Sequence, residues 1–135
     1  VSVLASALEV SPSDLVRHPD MPELETRADE REVFTMPGSN PALKYERVSG
    51  RFSASNVSGI IIDIAAGYTS TLAKHEGEEL VYVIEGTLNI LVGDKDIILN
   101  AGETAHCPAS TLHQFSTPSS CGAKVLWVGT LRLFD

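Results

Sequence analysis

Residues 67–86 read GYTSTLAKHEGEELVYVIEG: two glycines enclose a polar run that carries His75 and Glu79 and then turns into the β-like segment Leu80 to Ile84. Residues 102–117 read GETAHCPASTLHQFST, a second glycine-opened run that carries Pro108 and His113. In an extended chain side chains alternate, so residues four apart share a face and His75 and Glu79 would open into one pocket. His113 must reach that pocket from a neighbouring strand. Two imidazoles and one carboxylate that leave coordination positions open suit non-haem iron, and would equally take manganese, nickel or zinc as a divalent cofactor. The structural alternative is that these histidines only hydrogen-bond their neighbours.

From Glu32 to the end of the chain, short runs of β-formers alternate with turn residues. The expected strands are Glu32–Met36, Leu43–Val48, Val57–Ala65, Leu80–Ile84, Thr87–Val92, Asp96–Leu99, Thr104–Cys107, His113–Ser116 and Lys124–Leu133. Pro37 to Pro41, Gly93 to Lys95 and Thr117 to Ser120 are the clearest turns. Many short strands at this spacing imply a mostly β protein, an antiparallel barrel or double-sheet jelly roll. Gly67, Ala73, His75, Glu79 and Gly86, followed by Gly102, Pro108, Ser110, His113 and Thr117, match the spacing of the two cupin motifs. These are G-x5-H-x-H-x3-E-x6-G and G-x5-P-x-G-x2-H-x3-N. The resemblance implies a cupin double-stranded β-helix over residues 32–135, with His75, Glu79 and His113 as metal ligands. It also marks three departures: Ala73 replaces the family's first histidine, Ser110 its glycine and Thr117 its asparagine, so one of the usual four ligands is missing.

The N-terminal part reads differently. Val3, Leu4, Ala7 and Leu8 fall at helical spacing, and Ser11-Pro12-Ser13-Asp14 is a helix start with Ser11 at the N-cap and Pro12 in the first turn. Leu4-Ala5-Ser6-Ala7-Leu8 and Val10-Ser11-Pro12-Ser13-Asp14-Leu15 resemble the last two helices of the helix-turn-helix domain of lambda-repressor-like regulators. Any capped helical hairpin would share the pattern. On this reading residues 1–16 are the end of such a domain and 17–31 a polar linker. The chain, which begins without methionine, is then a fragment whose DNA-reading helix lies upstream.

A chain of 135 residues supports one full hydrophobic core and not two. Its formal net charge of -8 repels phosphate backbones and anionic membrane surfaces, so operator DNA is expected to be met only through the upstream region. No apolar run approaches the roughly 20 residues of a membrane span, and Val1 to Ala5 lack the basic flank of a signal peptide. Cys107 and Cys121 form no C-x-x-C pair, which points to a reducing, cytoplasmic setting.

Other groups are candidates for a ligand pocket. Tyr45 and Arg47 alternate onto one face of an early strand and would offer a phenol and a guanidinium to an anion, or serve only structure. His106 and Cys107 point to opposite faces, so one of them lines the cavity; a surface imidazole and a buried thiol are the plainer readings. Val81 and Phe115 share the faces of Glu79 and His113 and would form an apolar wall. Glu76 and Glu78 read as a solvated turn and Trp127 as core. No serine lies in a G-x-S-x-G elbow and no glycine loop cradles phosphate, which removes hydrolase and nucleotide-binding functions.

The run His75 to Glu79 with Val81 to Gly86 also resembles cupins attached to repressor-like helix-turn-helix domains. The implied function is a dimeric barrel that senses a small-molecule effector for a transcription regulator and turns nothing over. The rival reading is an enzyme. Some cupins with the same attached domain are iron-dependent oxygenases or epoxidases, and a phosphonate epoxidase of this kind uses H-x3-E and one later histidine, as His75, Glu79 and His113 would. A barrel serving only dimerisation is a third reading.

Overall fold

A computed structural model describes residues 22–35 and 40–134. The helical segment expected within residues 1–16 lies outside the described residues, and among the described residues there is no helix. The described residues form eight strands: β1 Val33–Phe34, β2 Leu43–Arg47, β3 Ser58–Ile64, β4 Glu78–Val92, β5 Lys95–Asn100, β6 Thr104–Pro108, β7 His113–Ser116 and β8 Ala123–Gly129. Every strand pairing is antiparallel. One face runs β1-β2-β3-β8-β4-β6; the other is built on the later half of β4, flanked by β5 and β7.

The two strands expected at Leu80–Ile84 and Thr87–Val92 are a single 15-residue strand, β4, that passes from one face to the other. The alternation of apolar residues breaks between Val83 and Glu85, and the sequence pattern registers that break as a gap. The structure places a bulge there, which sharpens the local twist and bends the strand round the corner. Gly86 completes the bend. Its φ is +83°, and a Cβ at this position would lie 2.1 Å from the Gly122 carbonyl oxygen, so both backbone conformation and space require glycine. The last strand also stops at Gly129 instead of Leu133, because the Thr130 side chain and backbone turn in to bond the Glu78 backbone.

Alternation along β8 buries Ala123, Val125, Trp127 and Gly129. Ala123, Val125 and Trp127 meet Ile60 and Ile64 of β3, Val81, Val83, Leu88 and Ile90 of β4 and Leu99 of β5 in one core between the faces. Val83, Leu88 and Ile90 are fully enclosed, each contributing about 1.5–3 kcal/mol through burial. Residues 22–32, partly within the segment read as a linker, lie along the barrel. Glu23 and Arg51 exchange both backbone hydrogen bonds, Thr26 donates its hydroxyl to the Val48 carbonyl, and Arg47 N–H reaches Glu32. No helix among the described residues is long and apolar enough to cross a membrane.

Candidate metal centre

The two glycine-opened runs meet at one end of the barrel. Residues 69–75 run beside β7, with Ala73 and His113 exchanging backbone hydrogen bonds of 3.0 and 2.9 Å. Direct cross-strand partners share a face, so residue 73 is beside His113, where a methyl group supplies no ligand atom. His75 is anchored by its own N–H to the Ala109 carbonyl at 2.9 Å. His75 and Glu79 come together, although not through the extended run that sequence spacing suggested. The chain bends at Glu76 and Gly77, and Gly77 takes φ +101°, so His75 approaches from outside β4 and Glu79 from its second residue. In strand register Glu79 lies opposite Cys107 on one side and Gly129 on the other.

Glu79 is nearly inaccessible to solvent, with its side chain 1% exposed; that of His113 is 5% exposed and that of His75 is 21% exposed. Its Oε1 accepts a buried hydrogen bond of 2.9 Å from the Trp127 indole Nε1–H. Its Oε2 lies 3.1 Å from His75 Nε2 and 3.2 Å from His113 Nε2, yet it makes no hydrogen bond and is an unsatisfied buried atom. Each ring has a second partner on its far side. His75 Nδ1 faces the Glu76 carbonyl at 3.1 Å and His113 Nδ1 faces the Thr111 carbonyl at 2.7 Å. A carbonyl only accepts, so in a neutral ring this contact favours the proton on Nδ1 and leaves a lone pair at Nε2.

In that tautomer three lone pairs converge on one buried place. An unsatisfied buried acceptor costs about 1–3 kcal/mol, more when charged, and a divalent cation removes that cost by accepting all three. The ligand atoms lie within 4.8 Å of one another, and Nδ1–H bonded to a backbone carbonyl is the usual outer support of a metal-bound imidazole. The donor set thus fits a metal; with only three protein ligands it would leave further positions open.

The remaining sequence candidates are distributed as follows. Val81 is buried two residues along the Glu79 face, and the Phe115 ring packs edge-on to His113 at 6.1 Å between centroids. Cys107 faces inward; burial first, and then the charge of Glu79, push its thiol above the usual range. His106 belongs outside. Its register opposite Leu80 turns it to the outer surface, where it bonds Glu78 at 2.7 Å with its side chain 58% exposed. Glu78 shares that exposure, as a solvated acid should.

Tyr45 and Arg47 do not join the triad. Tyr45 is buried in the core, stacked on Phe34, and its phenol is pushed up by burial and by Tyr68. Arg47 bonds the Ser49 and Gly50 carbonyls and lies 3.9 Å over the Phe134 ring. Burial and then Arg51 lower its guanidinium, while Glu32 and Glu23 oppose that shift. It lines a separate cleft of about 230 Å³ between residues 23–32 and 47–51, to which no member of the triad contributes. Sequence reasoning treated Trp127 only as core and missed its bond to Glu79; only the β4–β8 register reveals it.

The fold is an antiparallel β-barrel that brings His75, Glu79 and His113 together, and the chain belongs to the cupin family. Residues 60–129, just over half of the chain, match the Cupin domain family. No curated protein matches the sequence. Among solved structures the chain is similar to an RmlC-like cupin from Shewanella frigidimarina, with 18% identity, TM-score 0.69, and coverage of 82% of this chain and 93% of that one. It is also similar to hydroxypropylphosphonic acid epoxidase from S. wedmorenis at 19% identity, TM-score 0.66 and 82% and 63% coverage. A third likeness is Fe(II) HppE, with 20% identity, TM-score 0.66 and coverage of 82% and 65%. At these identities the likeness is one of fold.

Proposed function

We propose that this chain is a metal-dependent small-molecule-binding cupin that serves as the sensor domain of a transcription regulator. The unsatisfied Glu79 Oε2 between two imidazole lone pairs carries the metal part of this reading. His75, Glu79 and His113 would hold the ion, which when bound would supply a Lewis-acidic anchor for an oxygen- or nitrogen-bearing effector. The chain's own residues do the rest: the Glu76 and Thr111 carbonyls fix the tautomers, Trp127 orients the carboxylate, and Val81 and Phe115 keep the inner wall apolar. The regulatory part rests on the helix-turn-helix resemblance of Leu4 to Leu15; the acidic balance disfavours DNA contact by this chain itself. A dimer would suit two-fold operators. Effector binding would change operator affinity only by its differential affinity for the two dimer states.

One observation favours a second reading. Two histidines and one glutamate are also the ligand set of non-haem iron oxygenases, and the epoxidase likeness agrees in fold. Elemental analysis of untagged protein tests the metal reading. A thermal-shift screen of small metabolites, followed by aerobic incubation of the best hit with iron-loaded protein and mass spectrometry, separates sensor from enzyme. The sensor reading expects stabilisation without turnover. Turnover abolished by His75→Ala would establish the enzyme instead, and a sequence-specific DNA shift by this chain alone would overturn the placement of the DNA-reading element.

A further inference from the structure

Glu79 has two carboxylate oxygens, and the structure treats them differently. Oε2 faces the two Nε2 lone pairs, whereas Oε1 is taken by the Trp127 indole N–H at 2.9 Å, a bond wholly buried. The bond spans a diagonal of the sheet, because Trp127 is opposite Val81 and Gly129 is opposite Glu79. Only a long side chain crosses that distance. It also needs an opening. A Cβ on Gly129 would lie 2.7 Å from both Cζ2 and Cη2 of the indole, so the ring fills the space that any side chain at 129 would occupy. Trp127 and Gly129 thus act as one device: the glycine admits the ring, and the ring fixes the carboxylate.

We infer that Trp127 is a positioning residue that holds Glu79 to one-oxygen metal binding, with Gly129 as its necessary complement. This rests on the metal reading above. A carboxylate with both oxygens free takes a cation through one or both; with Oε1 turned to the indole N–H, Glu79 directs Oε2 at the two imidazoles. Three protein ligand atoms rather than four would leave a six-coordinate ion three further positions, enough for an effector that chelates through two atoms and for one more ligand. The device also makes Trp127, the single tryptophan of the chain, an internal reporter of the site.

The test uses the full chain with cobalt(II) and zinc(II) as probes. Wild type should bind both ions, and zinc, which does not quench paramagnetically, should still change the tryptophan emission because it neutralises the carboxylate that accepts the indole proton. Trp127→Phe keeps an aromatic ring and removes the N–H; it should weaken metal binding by about 10- to 100-fold, the usual cost of losing an outer-shell partner. It should also alter the cobalt d–d absorption as the carboxylate turns. Gly129→Ala, which displaces the ring without deleting the indole, should weaken binding similarly and blunt the zinc-induced emission change.

The double variant should bind no more weakly than Trp127→Phe alone, because the two changes remove one contact. A merely structural role would lower the melting temperature and leave the cobalt spectrum unchanged. Wild-type affinity and spectrum in folded Trp127→Phe would overturn the latch while leaving the metal reading intact. If that variant fails to fold, unchanged affinity in Gly129→Ala, or no zinc response of the wild-type emission, overturns it equally. A wild type that binds neither ion overturns the metal reading and the latch with it.

Discussion

Replacing Glu79 by glutamine should make the metal-free protein more stable and the metal-treated protein less so. The substitution is nearly isosteric, and the amide oxygen still accepts the Trp127 N–H that Oε1 now receives at 2.9 Å. The other terminus changes from an unsatisfied carboxylate oxygen to an NH₂ group. That group has two hydrogens to donate, and two imidazole acceptors lie 3.1 and 3.2 Å away. A small rotation of either ring aligns them. Removing one buried unsatisfied acceptor is worth about 1–3 kcal/mol. For a chain of this size each kcal/mol moves the midpoint by about 3–5 °C, between the values for smaller and larger domains. Glu79→Gln should therefore melt at least about 3 °C above wild type in chelator-treated buffer.

Metal reverses the order. An ion at a hundred times its dissociation constant stabilises the wild type by about 2.7 kcal/mol, a rise of about 8–13 °C on the same scale. Glutamine, neutral and with its nitrogen turned toward the rings, offers no anionic ligand and should show no such rise. Differential scanning calorimetry of both proteins, with chelator and with zinc, reads all four states. A lower midpoint for chelator-treated Glu79→Gln would refute the tautomer assignment, since it would mean that Oε2 was already accepting a proton from a histidine. A full metal-induced rise in the variant would refute Glu79 as a ligand.

Other expectations follow from single contacts. His113→Ala should strip metal from the purified protein, since it removes one of only three ligands; unchanged metal content by elemental analysis would exclude His113. Ala73→His should tighten zinc binding by adding a fourth ligand beside His113, and competition with a chromophoric chelator showing weaker binding would place residue 73 away from the centre. Gly86→Ala should cost about 1–3 kcal/mol in urea denaturation, because φ is +83° and the added methyl meets the Gly122 carbonyl; a loss below about 0.5 kcal/mol would argue against the corner. Burial and the Glu79 charge raise the Cys107 thiol, so less thiolate forms at neutral pH. Iodoacetamide should therefore label Cys107 in the folded chain more slowly than in urea at the same pH, accelerating only as the pH rises above the usual thiol range, and equal rates by peptide mass spectrometry would contradict the placement.

What was legible in the sequence depended on the range of each interaction. Strand alternation is local, so β2, β3, β5, β6 and β7 were recognisable from their residues, and motif spacing brought His75, Glu79 and His113 into one group. The joining of two short runs into β4 was not, because a bulge at Val83–Glu85 and a positive-φ glycine interrupt the alternation that identifies a strand. The reason for the His75–Glu79 approach was also misread: period two suggested an extended run, whereas Gly77 with φ +101° turns the chain. Pairwise facing is only half legible. Alternation says that His106 and Cys107 face opposite ways, but the β4 register decides that the imidazole is the one turned out to Glu78. Least legible was Trp127, whose sequence environment Val125-Leu126-Trp127-Val128 reads as core and nothing else. Its chemical role follows from which strand β8 lies beside and from Gly129 leaving its side-chain space empty, facts separated from Glu79 by some fifty residues of sequence and supplied only by the closed sheet.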